Sequence, residues 1–162
     1  MQHTISVLVV NQFGVLSRIS GLFSGRGFNI ESLNVAETND SGISRMTIVT
    51  RGDDKKIEQV TKQLNKLVDV IKVIDLTEEH FVDRELILVK MNAEARVREE
   101  ILRIVNIFRA KVIDVNPYSY TVEITGDEGK TKGFLDLLKP LGIKEVVRSG
   151  RIAISRGIKP IN

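Results

Sequence analysis

Apolar residues recur along the first half of the chain with the spacing of strands in some segments and of helices in others. Residues 4–10 (TISVLVV) are apolar at every position from Ile5 except Ser6, which is typical of a strand buried on both faces. From Val15 the apolar residues return every three or four positions, which predicts an amphipathic helix that ends at the glycine-containing stretch 25–27. The remaining elements of this half are strands over 28–38, 43–50 and 70–76, a hairpin turn over 39–42, and a helix that starts at Asp53-Asp54 and carries Ile57, Val60, Leu64 and Leu67. The order βαββαβ is that of a ferredoxin-like plait.

The same pattern repeats after residues 77–83, which are polar and show neither the helical nor the strand periodicity of apolar residues. The second set consists of strands over 85–91, 111–115, 118–125, 143–147 and 151–155 and helices over 95–108 and 131–138. The sequence therefore predicts an α+β protein of two ferredoxin-like βαββαβ plaits in tandem, with a domain over 1–76, a linker over 77–83 and a domain over 84–162. Each half has roughly 75 residues, a size at which a lone core is marginal, so we expect the halves to rest on each other or on a second chain.

The amino-acid composition excludes several kinds of functional site. The 162 residues include no Cys and two His, and the formal net charge is +3. Without Cys there is no disulfide framework, thiolate zinc site or cysteine nucleophile. We expect His3, at the start of the first strand, and His80, in the linker, to lie on the surface without a special role. No apolar run has the length of a membrane span and the first residues do not resemble a signal peptide, so we expect a cytoplasmic protein without a membrane partner.

Other classes of ligand lack the residues that they require. An RNA-binding plait displays aromatic side chains on its first and third strands, whereas 4–10 and 43–50 contain none, so we expect no nucleic-acid partner. The stretch Gly25-Arg26-Gly27 follows a helix, whereas a phosphate-binding turn precedes one. We interpret the carboxylate pairs Asp53-Asp54 and Glu78-Glu79 as a helix cap and as part of the linker. We therefore expect no metal, no bound cofactor and no catalytic residue in this chain.

The turn between the first strand and the first helix is the most unusual segment. Asn11-Gln12-Phe13-Gly14 leads into a helix N-terminus, where free backbone N–H groups and the positive end of the helix dipole favour a carboxylate. Gly14 has no Cβ and lets a ligand approach the backbone, Asn11 offers a donor and an acceptor, and Phe13, Val15 and Leu16 offer an apolar wall. Two interpretations remain open at this point: an amino-acid-binding turn, or a plain strand-to-helix turn with a local Asn hydrogen bond.

This turn and several longer segments resemble one protein family. Asn11-x-Phe13-Gly14-Val15-Leu16 resembles the ligand turn of ACT domains, which sense amino acids in biosynthetic enzymes. Its continuation, LSRISGLFSGRGFNIESL over 16–33, closely resembles the regulatory (small) subunit of acetohydroxyacid synthase, also called acetolactate synthase. Further matching segments are SRMTI at 44–48, QLNKLVDV at 63–70, RELILVK at 84–90 and IFRAKVIDV at 107–115. The resemblance extends over nearly the whole chain.

The resemblance implies a regulatory protein without catalytic activity of its own. Small subunits of this family bind a large catalytic subunit, which uses thiamine diphosphate, Mg²⁺ and FAD to condense pyruvate with a second 2-oxo acid. They raise its activity and make it sensitive to feedback inhibition by valine, and in some cases by leucine or isoleucine. The family's effector lies between two ACT domains from different chains of a homodimer. By this resemblance one chain supplies Asn11, Gly14, Val15 and Leu16, and the other supplies Asn29 and Ile30.

The second half departs from the effector-binding pattern. Asn92-Ala93-Glu94-Ala95 corresponds to residues 11–14, so that Ala95 replaces the glycine and Glu94 would repel a carboxylate. We expect this ACT-related domain to have lost the effector site and to serve in dimerisation or partner docking. A stand-alone ACT-type amino-acid sensor for another enzyme or a transcription system is the alternative, and the resemblance of the second half argues against it.

Overall fold

The first half of the chain forms the predicted βαββαβ unit. The structure is a computed structural model that describes residues 1–158. Its first six elements are β1 (Gln2–Val10), α1 (Val15–Gly25), β2 (Ile30–Glu37), β3 (Ile43–Arg51), α2 (Asp54–Asn65) and β4 (Val70–Asp75). The strands form an antiparallel sheet in the order β2-β3-β1-β4. Because β1 lies in the middle of the sheet, its residues Ile5, Ser6 and Val7 are all buried, as the apolar run predicts.

The two helices of this half pack their apolar stripes on the sheet. Val15, Ile19 and Phe23 of α1 are buried, and Phe23 meets Phe28 edge to face with ring centroids 6.4 Å apart. Helix α1 ends at the predicted glycine-containing stretch, where Gly27 has φ +73°. Helix α2 begins as predicted, since the Asp53 side chain caps it by accepting a hydrogen bond from the Lys56 amide at 2.8 Å.

The second half repeats this architecture and adds a strand. Its elements are β5 (Phe81–Asn92), α3 (Ala95–Ile107), β6 (Lys111–Val115), β7 (Ser119–Gly126), α4 (Glu128–Gly142), β8 (Ile143–Arg148) and β9 (Ile152–Ser155). The sheet order is β6-β7-β5-β8, and β9 pairs with β5. Its core is built around Phe134 and Phe108, whose rings meet edge to face at 5.4 Å. The protein therefore has the predicted α+β fold of two ferredoxin-like plaits.

The compact units differ from the predicted division at both boundaries. Residues 81–83, assigned to a linker by sequence, already belong to β5. The second unit is Asp83–Gly150, and residues 151–158 group with the first unit. Arg151 Nη1 donates to Thr4 Oγ1 at 2.9 Å, and the Arg156 amide donates to the His80 carbonyl at 2.9 Å.

The expectation that His3 lies on the surface is wrong. Only 4 % of His3 is exposed, whereas His80 is exposed as expected. His3 is in phase with Ile5 and Val7 on β1, and side chains two residues apart point to the same face of a strand. It therefore lies on the helix-covered face of the sheet, beside Asp75.

None of the helices within residues 1–158 is long and apolar enough to cross a membrane.

Candidate functional site

The turn after β1 presents a helix N-terminus that no side chain caps. Gly14 is the N-cap residue of α1, with φ +80° and ψ −7°, a left-handed conformation that suits glycine. The first turn of α1 contains no acidic residue. The first N–H groups of a helix have no partner within the helix, and they carry the positive end of its dipole. This end of α1 can therefore receive a carboxylate from outside.

Asn11 is held in a fixed position next to this helix end. Its backbone amide donates to the Gly42 carbonyl at 2.9 Å, and its Nδ2 donates to the Ser41 carbonyl at 3.0 Å and to Glu37 Oε1 at 3.1 Å. These bonds use both amide hydrogens and leave Oδ1 as an acceptor. A local hydrogen bond of Asn11 was one of the two interpretations left open by the sequence, and the structure shows instead that its side chain ties the turn to the β2–β3 hairpin.

The same turn is stabilised by an ion pair that was not predicted from the sequence. Arg18 Nη2 of α1 pairs with Asp69 Oδ2, in the loop before β4, and the Val10 amide donates to the Asp69 carbonyl at 2.8 Å. A Cβ built on Gly14 would lie 3.4 Å from Arg18 Nη1. A guanidinium therefore stands beside the glycine. The only signal in the sequence was the i, i+4 spacing of Gly14 and Arg18 across the first helical turn.

The predicted apolar residues of the turn play different parts. Val15 is 4 % exposed and its side chain belongs to the core, so it can offer a ligand its backbone N–H but not an apolar surface. Leu16 is 44 % exposed and Phe13 is completely exposed. These two side chains can form the apolar wall.

Asn29 and Ile30 lie at the other end of the sheet from Asn11. The Thr50 hydroxyl donates to the Asn29 carbonyl at 2.7 Å, whereas Asn11 bonds to Gly42 at the opposite end of β3. The eight residues of β2 separate the two positions by roughly 23 Å. One chain therefore does not bring the predicted site residues together, and the predicted site would need a second copy to supply Asn29 and Ile30.

The edge strand β2 can bring such a second copy into place. It is the outermost strand of its sheet and is only partly buried. When two copies pair through the same edge about a twofold axis, the strands run antiparallel. The start of β2 in one copy then approaches the end of β2, and with it the Asn11 turn, in the other.

The second unit places a carboxylate where the first has a glycine. The N-cap of α3 is Glu94, so Glu94 and not Ala95 corresponds to Gly14 in the structure. The pairing of Ala95 with Gly14 predicted from the sequence was one residue off, because the loop between β5 and α3 is shorter than the loop between β1 and α1.

Glu94 occupies this helix end as an anion. The hydrogen bond from Arg96 Nε (3.0 Å), followed by that from Asn92 Nδ2 (3.1 Å), holds the pKa of the Glu94 carboxyl below its ordinary value. The carboxylate accepts no hydrogen bond from the N–H groups of α3, but its negative charge beside this helix end would repel an effector's carboxylate.

Comparison with known proteins identifies the family. Residues 84–157 match the family model described as small subunit of acetolactate synthase, and residues 5–72 match the model of the AHAS small subunit-like ACT domain. A probable acetolactate synthase small subunit of Archaeoglobus fulgidus is 54 % identical over 159 residues, which cover 98 % of this chain and 99 % of that one. The chain belongs to the acetolactate synthase small-subunit family.

Other members of the family agree over the full length. The acetolactate synthase small subunit of Haemophilus influenzae is 49 % identical and covers 99 % of both chains. The crystal structure of the acetolactate synthase small subunit from Thermotoga maritima has a TM-score of 0.89 at 40 % identity, covering 98 % of this chain and 99 % of that one. The protein is thus a regulatory small subunit with an ACT domain, and its family implies a large catalytic subunit as partner.

Proposed function

We propose that this small subunit activates the catalytic subunit of acetolactate synthase and makes it sensitive to feedback inhibition by valine, bound between the ACT domains of two chains. The observation that carries the proposal is the glycine-capped N-terminus of α1, next to Asn11, which is held by two side-chain hydrogen bonds and one backbone hydrogen bond. Full-length similarity to acetolactate synthase small subunits supports this regulatory role over a stand-alone sensor.

The two ends of an α-amino acid match the two sides of the turn. Its carboxylate accepts hydrogen bonds from the N–H groups at the start of α1, close to the Arg18 guanidinium. Its ammonium faces Asn11 Oδ1 and the Glu37 carboxylate, which lies 3.1 Å from Asn11 Nδ2. The partner copy contributes Asn29 and Ile30 at the start of its β2.

The branched side chain of valine would lie against a small apolar surface. Leu16 supplies exposed apolar surface, and Ile30, which packs partly against the core, supplies more from the other chain. A charged side chain would lose its water against this surface. This chemistry favours valine and its branched relatives.

Inhibition follows from linkage between the effector and the catalytic partner. Valine shifts the catalytic subunit only by the difference in its affinity for two conformations of the small-subunit dimer. Chemistry remains with the large subunit, to which we assign the thiamine diphosphate, Mg²⁺ and FAD. We also assign the complex to the cytoplasm.

Gly14→Asp tests the site assignment. The new carboxylate would lie at the N-terminus of α1 beside Arg18, where the effector's carboxylate binds. We expect acetolactate synthesis by the reconstituted large and small subunits to be activated as in the wild type, with inhibition by valine lost.

Gly157→Asp is the matched control, because Gly157 also has a positive φ (+69°) and open space around it but lies outside the segments that supply the proposed site. It imposes the same kind of backbone strain and should keep inhibition. Valine inhibition that persists in Gly14→Asp, or disappears equally in Gly157→Asp, contradicts the assignment. A wild-type subunit that leaves the large subunit's rate unchanged contradicts the activating role.

A further inference from the structure

The buried His3 has one ring nitrogen with a partner and one without. Nδ1 lies 3.2 Å from Asp75 Oδ2, within hydrogen-bond range, whereas the buried Nε2 has no hydrogen-bond partner. Asp54 Oδ1 lies 3.5 Å from Nε2, which is longer than an ordinary hydrogen bond. A buried polar atom without a partner is costly, and it calls for an explanation.

This histidine lines a cleft in the first unit whose other ionisable residues are all acidic. The cleft has a volume of about 370 Å³, and its ionisable lining consists of His3, Asp54, Glu58, Asp75 and Glu78. Four carboxyl groups and one imidazole surround it, so it favours a cation.

We propose that this cleft is a binding site for a divalent transition-metal ion of the zinc class, with His3 Nε2 and the Asp54 carboxylate as its first two ligands. When Nδ1–H donates to Asp75, the neutral ring keeps its lone pair on Nε2. A metal-bound histidine usually donates its other N–H to a carboxylate in this way, which fixes the tautomer and the ring orientation. The site is independent of the effector turn.

The spacing of the two proposed ligands fits such an ion. Ligand atoms about 2.0–2.2 Å from a tetrahedral zinc ion lie about 3.3–3.6 Å from each other. The distance of 3.5 Å between His3 Nε2 and Asp54 Oδ1 is within this range. Asp54 is exposed over 77 % of its side chain, so it can adjust at little cost.

Glu58 can complete the protein's share of the ligands. Within residues 1–158, no three His, Cys, Asp or Glu side chains are already arranged to hold a metal ion. Glu58 follows Asp54 by four residues on α2, the spacing at which two helical residues can share one metal ion. Glu58 already lines the cleft. Its side chain is 66 % exposed, and its ion pair with Lys62 at 2.8 Å is a surface pair that costs little to exchange for a metal ion. Water fills the remaining position.

Zinc titration of the small subunit, prepared without a polyhistidine tag, tests the proposal. The readout is the ¹⁵N chemical shifts of the imidazole nitrogens, because the chain has only His3 and His80. We expect Zn²⁺ to shift Nε2 of His3 and to leave His80 unchanged. Asp54→Asn should weaken the response, and Asp75→Asn should weaken it roughly ten- to a hundredfold through loss of the orienting carboxylate.

Asp54→Asn leaves the helix cap in place, since Asp53 provides it. Glu99→Gln, an exposed site on α3 in the other unit, is the matched control for loss of one negative charge and should bind as the wild type does. A His3 ring that does not respond to millimolar Zn²⁺, or that responds equally in Asp54→Asn, overturns the proposal. A response at His80 alone overturns it as well.

Discussion

Arg109 and Gly27 occupy the same place after their respective helices, with different consequences for the backbone. Arg109, which follows the C-cap of α3, has φ +53°, and among residues 1–158 it is the only residue other than glycine with a positive φ. Gly27, which follows the C-cap of α1, has φ +73°. A side chain in this conformation brings Cβ close to the following carbonyl, whereas glycine avoids the contact.

We expect Arg109→Gly to raise the free energy of unfolding by about 0.5–1 kcal/mol. Glycine removes the strain of the positive φ in the folded state, but it also raises the conformational entropy of the unfolded chain, which offsets part of the gain. Gly27→Ala should lower it by about 1 kcal/mol, since nothing lies within 4 Å of the added Cβ and the cost is conformational alone. Urea unfolding followed by circular dichroism measures both. A loss of stability in Arg109→Gly would show that the Arg109 side chain makes a contact worth more than the strain.

At single residues, sequence reasoning succeeded where the neighbours in the chain decide the outcome. Asp53 was recognised as a cap because its function is local to the first turn of α2. The burial of His3 was missed although its phase with Ile5 was visible, because its partner Asp75 is distant in sequence. The Arg18–Asp69 pair was missed for the same reason: the fold, not the spacing, brings those residues together.

The elements themselves were largely predictable. Each helix has an apolar stripe with a period near 3.6 residues, and each central strand has an apolar run. These patterns depend only on which faces of the element are buried. Helix α4 starts at Glu128, three residues before the predicted start, because Asp127 caps it and the polar first turn shows no apolar period. Residues 151–158 follow the second domain in the chain but group with the first compact unit, which the local sequence pattern does not indicate.

Strand β2 is the element on which the proposed dimer depends. It is an edge strand, and Val35 on it is 43 % exposed. Unpaired N–H and C=O groups on an edge strand allow a second strand to pair with it.

We expect Val35→Lys to weaken the homodimer, because a charge would be buried at the interface, and to weaken valine binding in parallel. Ile71→Lys is the control, since Ile71 is 52 % exposed on β4, the opposite edge of the same sheet. Sedimentation velocity measures the dimer, and calorimetry measures valine binding. If Ile71→Lys dissociates the dimer and Val35→Lys does not, the interface lies at the other edge.

At the scale of the whole molecule, the two units differ in the chemistry of equivalent helix ends. The first unit has glycine and free N–H groups at the start of α1, and the second has an ionised Glu94 at the start of α3. The sequence was enough to predict this asymmetry, because it depends on residue type. It could not show that Asn11 and Asn29 lie at opposite ends of one sheet, which makes the proposed effector site a property of two chains.

The most direct test of this shared site is valine binding by hybrid dimers. One chain carries Asn11→Ala and the other Asn29→Ala, with different affinity tags so that the hybrid can be purified. Each variant alone should form dimers with no intact site and bind no valine in calorimetry, while circular dichroism confirms that it is folded. In the hybrid, the unmodified Asn11 of one chain faces the unmodified Asn29 of the other at one of the two sites. We predict one valine bound per hybrid dimer with wild-type affinity. A hybrid that binds no valine, or an Asn29→Ala dimer that binds it normally, would contradict a site shared between chains.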